Sequence, residues 1–228
     1  MVAGTSSKTI VTVDPDTPEA HSLRQFGLHH SSLLSPELDF ADNKDPDVET
    51  ITNVLTVRAA QALQQDVSSS GQSGYGVMFA FLSQFDVDAD TSTVLKQVCS
   101  RCRRRVYESS DYKCTNSSCT GEHTAHDEPP DMEYSITVSL TDHTGSLELC
   151  HLLPDVAEQM LGCKAREWPN LHSAEKTNIK WIYLLERARA VIKMKRVDDR
   201  TGARCFIHVL ALEKADPQQL LDQGLTGS

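Results

Sequence analysis

The 228-residue sequence predicts a mainly β protein with a few helices, in which a five-stranded barrel carries an inserted metal-binding ribbon. Two observations predict this class. Several short segments alternate apolar and polar residues, as strands with one buried face do. Four cysteines are grouped between residues 99 and 119, after the first of these strands.

The strand-like segments come in a defined order. The first begins at Tyr75, and the clearest runs from Met132 to Leu140 with a polar residue at every second position. Asp142–Gly145 is typical of a hairpin turn because it ends in glycine. In chain order the segments are 75–85, 94–98, 132–140, 147–149, 188–197 and 205–212.

Helical spacing is found before, between and after these strands. Proline in the first turn or glycine after the last marks several of the helix ends. The predicted helices are 16–26, 48–65, 154–162, 173–187 and 217–225. The buried face of the second is expected to hold Ile51, Val54, Leu55 and Leu63. Trp168 and Trp181 are expected to anchor the helices to the barrel, and the strand aromatics Phe79, Phe81, Tyr134 and Phe206 to lie in the core.

The order strand, long interruption, meander, helix, strand, strand is that of the five-stranded Greek-key barrel called the OB-fold. A mixed α+β sandwich is the alternative that this order leaves open. We expect a linker and helical segment over 1–74, an OB-fold over 75–214 with the ribbon at 98–122, and a C-terminal helix over 215–228.

The cysteines form two close pairs, Cys99 with Cys102 and Cys114 with Cys119. Two thiolate pairs on short turns are the ligand set of a structural, tetrahedral Zn²⁺ site. A redox pair needs only one Cys-x-x-Cys, and seven cysteines without a secretory signal indicate a reducing compartment rather than disulfides. The other three cysteines, Cys150, Cys163 and Cys205, are expected to be buried thiols, and His123 and His126 to be loop residues.

Charge is distributed unevenly along the chain. The net charge is −10, yet residues 99–119 carry five basic and two acidic groups, and residues 163–228 carry twelve and eight. Phosphate contacts are therefore expected from these two segments, although solvated charged faces explain such runs equally well. No apolar run is long enough to span a membrane, so we expect a protein of the nucleus or cytosol.

Several motifs together resemble the C-terminal DNA-binding domain of the replication protein A large-subunit family. They are Asp14–Arg24, Val98–Cys102 with the cysteines up to Cys119, Met132–Leu140 and Ala157–Gly162. Within that family the chain is similar to a meiosis-specific branch with OB domains, as a C-terminal fragment. The strand ending at His151 and the hairpin 195–199 lack the aromatic residues that the family uses for base stacking.

The resemblance implies a nuclear, chromosome-associated role in meiotic homologous recombination and double-strand-break repair, with weak intrinsic affinity for single-stranded DNA. Sequence-tolerant binding would use aromatic rings and a basic track. Packing of Tyr107 against the ribbon is the competing interpretation. The candidate DNA-binding residues are Arg101, Arg103, Arg104, Arg105, Tyr107, Tyr112, Lys113, Lys193, Lys195, Arg196 and Arg204.

The resemblance also implies partners: an OB-containing, spermatogenesis-associated protein and replication protein A itself. Leu220, Leu221 and Leu225 are the candidate docking residues, and assembly is expected to be the main role of this domain.

The meiosis-specific branch is associated with 3′–5′ exonuclease activity on single strands. The acidic loops around Asp86–Asp90 and Asp127–Asp131 have no catalytic context, so we do not expect catalysis from this domain.

Overall fold

A computed structural model of the chain describes residues 45–89, 91–116, 119, 129–199 and 202–222. The predicted helix at 16–26 lies outside these residues, as do His123 and His126. In the part of the chain that is described, no helix is long and apolar enough to cross a membrane.

A closed five-stranded barrel forms the centre of the fold and confirms the predicted class. Its strands are β1 (Gly74–Phe85), β4 (Thr137–Asp142), β5 (Gly145–Leu152), β6 (Arg187–Asp199) and β7 (Gly202–Lys214). Around the barrel they follow one another in the order β1, β4, β5, β7, β6. All neighbouring strands are antiparallel except β5 and β7, which close the barrel in parallel.

The ribbon rises from a separate two-stranded sheet between the first and second barrel strands. This sheet pairs β2 (Leu95–Val98) with β3 (Asp131–Tyr134), and the short helix α2 (Thr91–Val94) precedes it. The prediction of one continuous strand over 132–140 is wrong. The chain leaves β3 at Ser135, whose N–H donates to the Val94 carbonyl at 2.7 Å, and enters the barrel as β4.

The first described helix, α1 (Val57–Ser70), starts nine residues later than position 48, where the sequence pattern places its beginning. Residues 53–55 are instead extended and pair with β1 at Val77. The Cβ of any larger residue at Gly76 would clash with Leu55 there, so glycine permits the close approach. The barrel itself caps α1, because the Asp142 carboxylate accepts from the Val57 N–H at 2.8 Å.

Two helices follow β5, and the barrel core extends beneath them. Helix α3 (Pro154–Leu161) ends at Gly162 in the left-handed conformation, as predicted. Helix α4 (Ser173–Tyr183) ends four residues before the predicted 187, since the chain must join β6. Trp168 is fully buried, as predicted, whereas the anchor role expected for Trp181 is wrong because this side chain is 60% exposed.

Of the four aromatics predicted to lie in the core, only Tyr134 is buried there, where it meets Trp168 edge to face. Phe79 and Phe206 are half-buried and Phe81 is exposed. Each alternates with core residues such as Met78, Ala80 and Ile207, which places it on the outer face of the barrel. The chain then continues into the short helix α5 (Pro217–Asp222).

Candidate metal centre and nucleic-acid surface

The four cysteines converge at the tip of the ribbon. The Sγ atoms of Cys99, Cys102, Cys114 and Cys119 all lie within 4.8 Å of one another. The Sγ–Sγ distance is 3.9 Å between Cys99 and Cys119 and 3.4 Å between Cys102 and Cys114. Zn–S bonds of about 2.3 Å in a tetrahedron require sulfur atoms about 3.8 Å apart. The quartet therefore fits a zinc ion.

Backbone hydrogen bonds shape the turn that carries the first two cysteines. The Arg103 N–H donates to the Cys99 carbonyl at 2.9 Å, and the Cys99 N–H donates to the Arg104 carbonyl at 2.8 Å. Burial alone would raise the pKa of Cys102, but hydrogen bonds from the Arg104 backbone and the neighbouring thiols hold it at about 7. Burial and the adjacent thiols raise the pKa of Cys114 to about 12. The thiols ionise together only when a cation compensates their charge.

The ribbon's candidate DNA-binding residues occupy different environments. Arg101 and Lys113 are exposed, whereas Arg104, Arg105, Tyr107 and Tyr112 are half-buried. Arg103 forms ion pairs with the carboxylates of Asp131 and Glu133 at 2.6 Å each. Its guanidinium is therefore engaged within the protein.

Tyr107 packs against the ribbon and also lines an open cavity beside it. The Arg105 guanidinium lies 5.3 Å from the centre of the Tyr107 ring, and the buried Tyr107 hydroxyl has no hydrogen-bond partner among the described residues. The cavity has a volume of about 300 Å³. Leu95, Lys96 and Met132 form part of its opposite wall.

Three rings lie together on the outer face of the barrel, where β5 meets β7. The His151 ring stacks on the His208 ring with centroids 5.8 Å apart, and the centroid of the Phe206 ring is 6.2 Å from that of His151. His151 and Phe206 are half-buried and His208 is buried. OB-folds bind oligonucleotides on the face of their second and third barrel strands, here β4 and β5, and on the adjoining loops. We call the surface formed by the rings of His151, Phe206 and His208 the ring groove.

Both histidines of the ring groove are held in the neutral form near neutral pH. Burial lowers the pKa of His208 to about 3, with smaller contributions from the charges of His151 and Lys193. Burial also lowers the pKa of His151, and the ammonium of Lys96 lowers it further. Lys96 also lines the cavity beside Tyr107.

The hairpin cations divide into two pairs. Lys193 is buried and pairs with Asp45, and Arg196 binds Asp198 at 2.8 Å and the Ser68 carbonyl at 2.7 Å. Lys195 and Arg204 are half-buried, and Lys195 forms no ion pair with any described residue. Lys195 is the cross-strand neighbour of Phe206, so its stem borders the ring groove.

The ring groove was missed by the sequence analysis. His151 was noted only as the end of a strand without stacking residues, and Phe206 was assigned to the core. The available signal was the alternation in β7, where Ile207 and Val209 are buried and Phe206 and His208 therefore face outward. The pairing of His151 with His208 depends on the parallel closure of β5 on β7, which no local pattern encodes.

The acidic loop after β1 is neutralised by the protein. Lys180 contacts Asp86 at 3.3 Å and Asp88 at 2.9 Å. Asp90, Asp127 and Glu128 lie outside the described residues. Among described residues, the cysteine quartet is the one cluster of side chains close enough to hold a metal ion.

The candidate partner-binding residues fall at the end of the described chain. Leu220 and Leu221 belong to α5, and Leu225 lies outside the described residues.

A second apolar surface, around the end of helix α4, was not predicted from the sequence. Trp181, Ile182 and Leu185 are all at least half exposed, and the Leu185 N–H donates to the Leu82 carbonyl at 2.8 Å, next to exposed Phe81. We call these four side chains the α4 patch.

The closed barrel with a four-cysteine ribbon after its first strand defines an OB domain of the replication protein A type. A replication protein A heterotrimer bound to ssDNA superposes over 92% of this chain and 46% of its own, with a TM-score of 0.56 and 15% identity. Yeast RPA bound to ssDNA superposes over 77% of this chain and 95% of its own, with a TM-score of 0.55 and 20% identity. These likenesses establish the fold.

Sequence comparison identifies the family more narrowly, although no protein-family model matches. The rat Meiosis-specific with OB domain-containing protein is 32% identical over 99% of this chain and 48% of its own length. Its Macaca fascicularis counterpart is 31% identical over 96% of this chain and 46% of its own length. Protein hold'em of Drosophila melanogaster is 29% identical over 66% of this chain and 32% of its own length. The chain belongs to the family of meiosis-specific OB domain-containing proteins. It spans about half the length of the rat and macaque relatives.

Proposed function

We propose that this domain binds single-stranded DNA without sequence preference, as one module of a replication-protein-A-like complex in meiotic recombination and double-strand-break repair. The observation that carries the proposal is the ring groove, in which half-buried His151 and Phe206 lie 6.2 Å apart on the outer barrel face. Any base has a π-face, so stacking on such rings tolerates every sequence.

The electrostatic track for the phosphates is short. Lys195 and Arg204 flank the ring groove on the hairpin side, whereas Lys96 on β2 is paired with Glu133. The exposed Arg101 and Lys113 extend the basic surface along the ribbon. Lys193 and Arg196 contribute less, because carboxylates already bind them. The neutral histidines add no charge, which supports weak binding by this domain alone.

The decisive experiment measures fluorescence anisotropy of a labelled dT oligonucleotide with His151→Ala, Phe206→Ala and the wild-type chain. Loss of one stacked base costs ~1–3 kcal/mol, so we expect each variant to bind at least about five-fold more weakly. An oligonucleotide with abasic sites should bind wild type and variants alike. Trp181→Ala, on helix α4 and 60% exposed, serves as the control. Equal affinity of wild type and both ring variants for dT would exclude the ring groove.

A second function, assembly with a protein partner, is favoured by the α4 patch. Contiguous exposed apolar side chains on a soluble domain mark interaction sites. Arg187 lies 4.7 Å from the centre of the Phe81 ring, and its buried Nε has no hydrogen-bond partner among the described residues. A partner with apolar side chains would cover the exposed part of this patch. By resemblance, the partner is an OB-containing, spermatogenesis-associated protein, and Leu220, Leu221 and Leu225 would join the same contact.

Co-purification with that partner tests the assembly. Ile182→Asp with Leu185→Asp, and separately Leu220→Asp with Leu221→Asp, should abolish a heterodimer detected by light scattering. Leu149→Asp introduces the same charge on another face and should leave the heterodimer intact. Survival of the heterodimer in both pairs of variants would refute docking at these surfaces. If the heterodimer forms in nuclear extracts, replication protein A is the further partner to probe.

A further inference from the structure

We propose that Arg103 is a positioning residue that fixes the orientation of the ribbon on the barrel. Through Arg103, the cysteine turn would determine where the basic face of the ribbon lies relative to the ring groove. The part of this inference that concerns DNA rests on the proposed single-strand binding, whereas the orientation itself does not.

The backbone of Arg103 is held by the metal-binding turn. Arg103 follows Cys102 directly, and its N–H donates to the Cys99 carbonyl at 2.9 Å. Its φ angle is +60°, a left-handed conformation that is uncommon for residues with a side chain. The carbonyl of the next residue, Arg104, accepts a hydrogen bond from the Cys99 N–H at 2.8 Å. The starting point of the Arg103 side chain is thus set by the turn that holds the thiols.

The guanidinium then reaches the base of the ribbon. Its Nε donates to Glu133 and its Nη1 to Asp131, both at 2.6 Å. The two acceptors lie on β3, and Glu133 is 8% exposed. Lys96, on the paired strand β2, contacts the second oxygen of Glu133 at 3.3 Å. A planar fork that engages two carboxylates fixes direction as well as distance.

The network continues from the ribbon to the barrel. The other oxygen of Asp131 accepts a hydrogen bond from Arg166. Arg166 follows helix α3 and precedes the 3₁₀ turn Trp168–Asn170, whose tryptophan is buried in the main core. Asp131 therefore connects Arg103 of the ribbon to a segment that is anchored in the barrel. A phosphate could take the Nε and Nη1 donors of Arg103 only by displacing both of its carboxylates.

The sign of the effect of Asp131→Asn on DNA binding separates positioning from direct contact. If Arg103 bound phosphate directly, removal of the neighbouring negative charge would strengthen binding. If Arg103 orients the ribbon, Asp131→Asn should instead weaken binding to a dT oligonucleotide by about two- to five-fold, the range of one exposed ion pair. Arg103→Gln should weaken it similarly, and the double variant no further, because both act through one contact.

A second measurement needs no DNA. Residual dipolar couplings of backbone amides report whether the ribbon, residues 99–116, and the barrel share one orientation. We expect a single alignment tensor in the zinc-loaded wild type and reduced ribbon couplings in Arg103→Gln, at unchanged zinc stoichiometry. Lys113→Gln, at an exposed position of the ribbon, is the control: it should keep the single tensor but lower the salt-dependence slope of DNA binding by about 0.7.

The outcomes distinguish this inference from the proposed function. A single tensor in Arg103→Gln, or tighter DNA binding by Asp131→Asn, would overturn the positioning role. If the wild type binds no single-stranded DNA, the proposed function fails, and the dipolar couplings still decide whether Arg103 orients the ribbon.

Discussion

Acidification should destabilise the protein through one buried histidine of the ring groove. The pKa of His208 is lowered to about 3 in the folded state, against 6.5 for an ordinary histidine. Below pH 6.5 the unfolded state therefore binds more protons at this residue than the folded state does, and stability falls as the pH falls. At pH 5, one and a half units below 6.5, the loss is about 2 kcal/mol at 1.36 kcal/mol per unit.

The loss can be isolated by comparing wild type with His208→Phe, which keeps a ring of similar size but cannot titrate. Urea unfolding at pH 7 and pH 5, followed by the fluorescence of buried Trp168, gives the free energy of unfolding. Between the two pH values the wild type should lose about 2 kcal/mol more than the variant. All other titrating groups, the cysteine quartet included, are common to both proteins and cancel in the difference.

An exposed histidine provides the control for this comparison. His143 lies in the hairpin turn between β4 and β5, and His143→Gln should retain the full loss of the wild type. If wild type and His208→Phe lose the same free energy between pH 7 and pH 5, His208 is not buried in the neutral form. The assignment of the ring groove as an uncharged surface would then be wrong.

Three other perturbations have defined outcomes. Metal chelation should make four additional thiols reactive toward a disulfide reagent while the fluorescence of Trp168 stays unchanged, because the quartet lies outside the main core. A change in Trp168 fluorescence that accompanies the thiol exposure would contradict this. Gly76→Ala should lower the free energy of unfolding by ~1–3 kcal/mol in urea titrations, since its Cβ would clash with Leu55, and a neutral result would disprove the close approach. Asp142→Ala should cost ~1 kcal/mol in the same assay through loss of the α1 cap, with unchanged stability as the contrary result.

The sequence predicted those features that depend on local pattern. Cys99 to Cys119 could be grouped because metal ligation on short turns imposes a spacing along the chain. The barrel strands could be found because each alternates buried and exposed residues over its own length. Helix α3 could be bounded by Pro154 and Gly162, since both residues act on the backbone at their own positions.

Features that depend on distant pairing were not predictable. Ile51 has helical spacing with Val54 and Leu55, but hydrogen bonds to Val77 hold this segment extended. Lys193 resembles a free hairpin cation in the sequence, yet Asp45, 148 positions away, neutralises it. Phe206 was assigned to the core because it is aromatic, although it alternates with Ile207 and Val209, which take the buried face of β7.

The capping of α1 by the β4–β5 hairpin has a consequence for where this domain can be divided. Val57, Ala60 and Val67 belong to the same core cluster as the barrel strands, and the Val57 N–H depends on a carboxylate 85 positions further along. A polypeptide cut at the apparent start of the barrel, Tyr75, would expose that core and leave Asp142 without its partner. The smallest piece expected to fold on its own therefore includes α1 and begins no later than Val57, and truncation studies of single-strand binding should respect that limit.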